Sequence, residues 1–411
     1  MNAWRRLLLA VVCGVAVASV YAAQPILEPM GRDLGVPPHL TGWIVATGQL
    51  GYLAGLLLLV PLGDVADRRR LIAAHLAITA AGMGMTASAS TAWAAFAGLA
   101  TAGVFAVVVQ TTVAYAASAS PPAERGRNIG IVTSGVVVGI LGARAVTGAL
   151  AELWGWRSVY ALLAALSLGL AALVLAALPP ERHPNPPARY SRAVASQTEL
   201  FREHAFLTRG LIAFFLFASF GTLWSGLALP LADAPWKLSE SQIGLFGIAG
   251  LAGALGAVRA GRWADAGRTV PVTGVALTLL ILSWAAIAQL PRSLWLLALG
   301  IVVLDFAVQA VHVSNQHLLT ATHPHRVSSV IGSYMVFYSL GSALGAAATT
   351  TIFTTHGWSG SSLLGAGFAA CALAIWATTI TKPAAARTSD PRRDGPGGQP
   401  QTMTTARRRS L

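Results

Sequence analysis

Charge is scarce in this chain, with only 10% of its 411 residues being Asp, Glu, Lys or Arg. Acid is scarcer still, at 15 Asp and Glu against 28 Lys and Arg. A soluble domain of this size carries about a quarter of its residues charged, so a water-soluble globular fold is excluded and lipid must be the solvent for most of the chain. Cysteine is nearly absent. Cys13 and Cys371 lie in apolar runs at opposite ends of the chain, which excludes a disulfide framework and a Cys/His metal site. P-loop, Gly-x-Ser-x-Gly and His-Glu-x-x-His patterns are missing, so the reading is of a protein that is no enzyme and has no cofactor and no metal. The basic residues sit in short segments between apolar runs without interleaved aromatic platforms, which argues against a nucleic-acid partner. Nothing in the chain points to an obligate protein partner.

What is present is hydrophobic: 55% of the residues, with a mean hydropathy of +0.63. Runs long enough to cross a hydrocarbon core of about 30 Å fall near residues 7–29, 41–63, 71–89, 92–117, 128–151 and 157–178. Six more fall near 206–230, 241–261, 270–290, 294–319, 327–352 and 359–380. The expected fold class is all-α integral membrane, twelve transmembrane helices in two six-helix pseudo-symmetric bundles. Residues 1–178 form the first half, 179–204 a polar, Pro-rich central loop, 205–380 the second half and 381–411 a tail. Arg5 and Arg6 precede the first apolar run and Val20-Tyr21-Ala22 resembles a cleavage site, but the run continues to Met30, so a retained first helix is the simpler reading.

With both termini in the cytoplasm, every Lys and Arg lies on the inside except Arg32, Arg157, Lys237 and Arg292 outside and Arg144 within a helix. The positive-inside rule selects that orientation, a multi-pass protein of the cytoplasmic (inner) membrane. The tail, rich in Pro, Gly and Arg, cannot bury a core and is expected to be a disordered cytoplasmic segment.

The two halves repeat. Gly55, Gly63, Asp67 and Arg70 recur at one constant spacing as Gly253, Gly261, Asp265 and Arg268. Gly98, Pro122, Gly130, Gly139, Gly155 and Trp156 recur at a second spacing as Gly300, Pro324, Gly332, Gly341, Gly357 and Trp358. Six is even, so both halves enter the membrane in the same sense, as parallel repeats.

These features resemble the major facilitator superfamily, and within it the twelve-helix drug:proton antiporter and efflux-permease branch. The carrying motif is Gly63-Asp64-Val65-Ala66-Asp67-Arg68-Arg69-Arg70, echoed at Gly261, Asp265 and Arg268. The resemblance implies that Gly63, Asp67, Arg68, Arg70 and their echoes serve a cytoplasmic gating loop. Gly135, Gly139 and Gly142 in the fifth helix resemble the antiporter signature, a small-residue seam for close helix packing. The chain has Ala143-Arg144 where the commoner signature has a Gly-Pro step, and lacks the arginine often seen in the fourth helix.

Asp305 lies roughly 16 Å into the tenth helix at 1.5 Å per residue, near the midplane, where an ionisable group is expensive and is a functional candidate by default. Gln309, His312 and Gln316 share its helical face within an arc of about 60°. The stripe lines a cavity with Asp305 exchanging protons and His312 relaying them, or it packs against other helices and only bridges polar groups. Arg144 either pairs with Asp305 as a coupling device or reaches to the outer headgroups. Tyr21, Gln24, Gln110, Trp224, Tyr334 and Tyr338 are candidates for the substrate cavity or for packing. The function expected is secondary active export of a small amphipathic or hydrophobic compound by proton antiport with alternating access, as in multidrug resistance. The partners implied are a small-molecule substrate, protons and the lipid bilayer. A passive facilitator or importer on the same fold is the alternative, and a non-transporting membrane sensor a remote one.

Overall fold

A computed structural model describes residues 1–64, 66–121, 124–180, 199–256, 269–323 and 327–381. Most of the central loop, the tail from residue 382 onward, and Gly261, Asp265 and Arg268 lie outside the described residues.

Helix α1 (Ala3–Tyr21) starts where Asn2 accepts a hydrogen bond from Arg5 N at 3.0 Å. It tightens into a 3₁₀ turn at Gln24–Ile26, because Pro25 has no N–H to give an α-helical ladder, and resumes as Leu27–Asp33. Helix α2 is Gly42–Leu58 and α3 is Arg68–Ala87. Asp67 caps α3, accepting from Arg69 N at 2.8 Å and Arg70 N at 3.3 Å. Helix α4 runs as Ala92–Phe105 and then Val108–Ser118, α5 as Arg125–Trp154 and α6 as Trp156–Ala177. Gly155, at φ 77°, makes the turn between α5 and α6.

The second half follows the same plan. Helix α7 is His204–Gly226, continued by Ala228–Ala232, α8 is Glu240–Gly256, α9 is Thr269–Ile287 and α10 is Leu294–Thr322. Within the helical stretch Val327–Thr381, Gly357 at φ 61° divides α11 (327–356) from α12 (358–381). The two run antiparallel, since Ser361 Oγ donates to Thr349 O at 3.3 Å across that turn. Among the described residues, nine helical stretches are long and apolar enough to cross a membrane, the α11–α12 pair being counted as one of them. The short α8 and the less apolar α3 complete the twelve.

Twelve alternating helices leave Met1 and Thr381 at one end of the bundle, here the terminal end. The turns around Gly35, Gly155 and Gly357 are at the other, the far end. Corresponding helices pack alike in the two halves. A methyl group on Gly135 would meet Ala10 O at 2.0 Å and one on Gly139 would meet Gly14 O at 2.4 Å, so α5 lies directly on α1. In the second half, a methyl on Gly341, the repeat of Gly139, would meet Phe214 O at 2.0 Å on α7. Without a hydrophobic force between helices in lipid, such backbone approach supplies the attraction. Gly142, expected in the same seam, is not in it: its nearest neighbour is Val138 of its own helix, at 3.7 Å. Crossed helices diverge away from their point of closest approach, and at Gly142 the two backbones no longer touch. Gly139→Val should cost about 1–3 kcal/mol by overpacking. The check is the thermal midpoint in detergent of a chain with Cys371→Ser, read as reaction of a thiol dye with buried Cys13 on the facing helix.

The halves meet at the far end. There Gly42 N donates to Thr350 Oγ1 at 3.2 Å, while Thr350 and Thr351 donate to His39 O at 3.2 and 3.1 Å. On the opposite side of the seam Ser241 N donates to Glu152 Oε2 at 3.1 Å. Closer to the terminal end the same helices turn to their own halves: Gly55 of α2 abuts Val104 of α4, and Gly253 of α8 abuts Val302 of α10. Gly126 and Gly130 of α5 have open space beside them.

Candidate functional site

At mid-depth on the seam the structure buries two full charges, and they are the only Asp, Glu, Lys or Arg side chains buried among the described residues: Arg144 at 2% and Asp305 at 1% exposure. Arg144 is carried by α5 of the first half. Its Nε and Nη2 both donate to Gln24 Oε1, at 3.0 and 2.7 Å. Gln24 is available because the 3₁₀ turn around Pro25 ends the regular helix there. The guanidinium carbon lies 3.7 Å from the ring centroid of Trp224 on α7 of the second half, with Phe220 at 5.6 Å and Tyr21 at 5.9 Å. A desolvated cation over an indole is worth about 2 kcal/mol. The expectation that this arginine reaches the outer headgroups is overturned, since its charge is buried against Gln24 and the aromatic wall.

Asp305 enters from α10 of the second half and reaches the same indole. A methyl group on Gly250 of α8 would stand 2.8 Å from both Asp305 Oδ2 and Trp224 Cζ2. Trp224 therefore carries the guanidinium on its face and has the carboxylate at its edge. The two charges are close enough to interact electrostatically, yet no ion pair joins them. Arg144 Nη1, Asp305 Oδ2, Gln24 Nε2 and Trp224 Nε1 are all buried outside good hydrogen-bond geometry, the Trp224 N–H facing the Asp305 carboxylate. Four such atoms in one place are costly unless something else occupies them part of the time.

Towards the terminal end, the hydroxyls of Tyr21 and Tyr338 hydrogen-bond across the seam, joining α1 to α11. His312 contacts Tyr334 Oη through Nδ1 at 3.2 Å and Gln316 Nε2 through Nε2 at 3.1 Å, and its ring stands edge-on to Phe217 at 5.2 Å. Gln309 is half-buried on the same helix. Gln110 donates to Tyr52 Oη at 2.8 Å within the first half. The repeat position of Asp305 is Gly103, where a methyl would meet Gly48 O at 2.2 Å, so that half has a backbone contact in place of an acid. At the terminal end Gly63 and Arg68 flank the capped start of α3, Arg70 is exposed, and the Arg69 guanidinium donates to Leu175 O of α6.

Several seam residues are not among those singled out in the sequence. Gln49 of α2 is fully buried with neither amide atom hydrogen-bonded. Ser339 and Ser342 of α11 are buried with free hydroxyls. Asn315 accepts from Arg209 Nη1 at 3.3 Å. A glutamine in the middle of the run 41–63 was the available signal for Gln49; the serines carry none, because helices accommodate serine by bonding it to their own carbonyls.

A bundle of twelve apolar helices in two like halves, with charges buried where the halves meet, is the build of a membrane transporter. The chain belongs to the Major Facilitator Superfamily, whose family profile matches residues 9–232 and 211–410. It is 40% identical over 370 residues to the uncharacterized transporter YgaY of Escherichia coli O157:H7, covering 90% of this chain and 94% of that one. It is 31% identical over 382 residues to the probable transporter SCO4007 of Streptomyces coelicolor, covering 92% and 87%. Among solved structures, a bacterial homolog of the human lysosomal transporter Spinster, in an inward-facing and occupied conformation, matches with a TM-score of 0.76 at 17% identity. That match covers 92% of this chain and 96% of the other. The protein is thus a multi-pass membrane transporter for a small-molecule substrate, and no enzyme.

Proposed function

We propose that this transporter exports a small amphipathic compound across the cytoplasmic membrane in exchange for protons, with Asp305 as the proton-exchanging group and Arg144 as its counter-charge. The observation that carries the reading is the position of two opposite charges on opposite halves, meeting at Trp224 on the seam. An ionised Asp305 beside Arg144 leaves the site neutral, whereas a proton on Asp305 leaves one positive charge. In a buried site these two conditions differ greatly in energy, and rocking of the halves changes which of them is tolerated. Arg144 stays with Gln24 in its own half, while its contacts to Trp224 and Asp305 exist only when the far end is closed. With both termini in the cytoplasm, as the distribution of Lys and Arg supports, the far-end contacts close the described conformation to the outside. His312, about two turns along the same helix toward the terminal end, relays the released proton in this reading. A membrane potential contributes roughly 2.3 kcal/mol per charge per 100 mV, so one inward proton suffices to drive export.

The test is substrate-driven proton movement in reconstituted vesicles, across a panel of amphipathic cations, neutral compounds and zwitterions. The native chain should move protons when a substrate is added, and Asp305→Asn should reduce that movement to the level of empty vesicles. Substrate flux without protons, unchanged in Asp305→Asn, would leave a passive facilitator. Proton and substrate moving in the same direction would make it an importer.

A further inference from the structure

Arg144 and Asp305 sit around one indole without touching, each with a buried atom that bonds to nothing: the donor Nη1 on one side, the acceptor Oδ2 on the other. We infer that the substrate is a zwitterion, carrying a carboxylate and an ammonium a few bonds apart together with an aromatic or apolar group. The inference rests on the proposed export site and names what fills it.

Charge arithmetic separates the alternatives. An organic cation seated on Asp305 would lie beside the fixed charge of Arg144 and leave Arg144 Nη1 without a partner. An organic anion seated on Arg144 would leave the ionised Asp305 Oδ2 without a partner and repel it. A neutral compound would leave both charged atoms unpaired. While Asp305 is ionised, only a molecule with both charges pairs each charged atom and leaves the site neutral. A second donor agrees: Gln24 Nε2 is buried and unpartnered beside Arg144, and a carboxylate has lone pairs for both. The rings of Phe220 and Tyr21, which with Trp224 surround the guanidinium, supply an apolar wall for the side group.

The same arrangement accounts for exchange. The substrate ammonium and a proton compete for one carboxylate oxygen of Asp305. When the ammonium arrives from the terminal end, the Asp305 proton leaves to the water on that side. When the substrate departs at the far end, a proton from that side takes its place. No bond in the substrate changes.

The experiment is counterflow in vesicles preloaded with unlabelled amino acid and holding no proton gradient. Radiolabelled glycine, leucine, phenylalanine and tryptophan are tried in turn, and competition is then measured on whichever enters best. For phenylalanine the competitors are phenylalanine amide, which has only the ammonium, N-acetylphenylalanine, which has only the carboxylate, and N-acetylphenylalanine amide, which has neither. In the native chain the zwitterion should compete at least about tenfold better than all three, because each analogue strands a buried charge. In Asp305→Asn, N-acetylphenylalanine should rise to match phenylalanine while phenylalanine amide stays weak, a change of order that a general loss of folded protein cannot produce. Absence of counterflow for all four amino acids, or native competition in which a singly charged or uncharged analogue equals the zwitterion, would overturn the inference. Counterflow needs no coupling. Loss of proton movement with the competitor order intact therefore sinks the exchange mechanism alone, and a flat competitor order with proton movement intact sinks the zwitterion alone.

Discussion

Arg144→Lys abolishes transport and lowers stability by about 2–4 kcal/mol, nearly as much as Arg144→Gln, even though it keeps the charge. The guanidinium does three things at once that an ammonium cannot. It gives two hydrogen bonds to a single oxygen of Gln24, it lies flat at 3.7 Å over Trp224, and it leaves Nη1 free toward the seam. A lysine of the same reach would satisfy at most the first of these with one bond. It would also strand the Gln24 carbonyl or the indole face in a buried site. Two charge-assisted hydrogen bonds at about 1.5–3 kcal/mol each, less what an ammonium recovers, set the scale. The measurements are the thermal midpoint of the purified variant and substrate flux per folded protein. A lysine variant with native flux would show that only the sign of the charge matters, and would remove the geometric argument for the site.

Gly42→Val should hold the far end open. A methyl group at this position would stand 2.0 Å from the Ala346 carbonyl oxygen and 2.6 Å from Thr350 Oγ1. The first of these is backbone and cannot swing aside, so α2 and α11 must part. Because this contact joins the two halves and lies within neither, each half stays folded while the closed state is lost. Transport should fall to background, since alternating access needs both states. In a chain with Cys13→Ser and Cys371→Ser and a single reporter cysteine at Ser342, which is 1% exposed on α11, an impermeant thiol reagent added from the far side should label at least about tenfold faster in Gly42→Val. Unchanged labelling together with normal transport would mean that the far-end contact is not a gate.

Much of this is legible in the chain before any folding is considered. Twelve apolar runs, a polar interruption after residue 178 and the paired glycines of the two halves are enough for the architecture. Lipid forces every backbone group into local helical bonds, so length and apolarity translate almost directly into spans. The boundaries are less direct. The first run reads as one helix to residue 29, but it breaks at Gln24–Ile26, and that break is what presents Gln24 to Arg144. Gly142 reads as a third member of a packing seam because periodicity extends along a helix indefinitely, whereas the contact between two crossed helices does not.

By itself the sequence determined the solvent of this protein, its helix count, its duplication, its family and the identity of the charges that lipid would not tolerate without a reason. Each of these follows from composition or spacing along one segment. Only the tertiary structure decided that Arg144 is held by a glutamine 120 residues away and stacked on a tryptophan of the other half. It also decided that Asp305 stops at the edge of the same ring, that Gln49 joins the seam, and that the halves close at the far end. Those facts depend on which faces of different helices meet. Helix crossing is settled by close packing of the whole bundle, at glycines where two backbones touch, and no single segment contains that information.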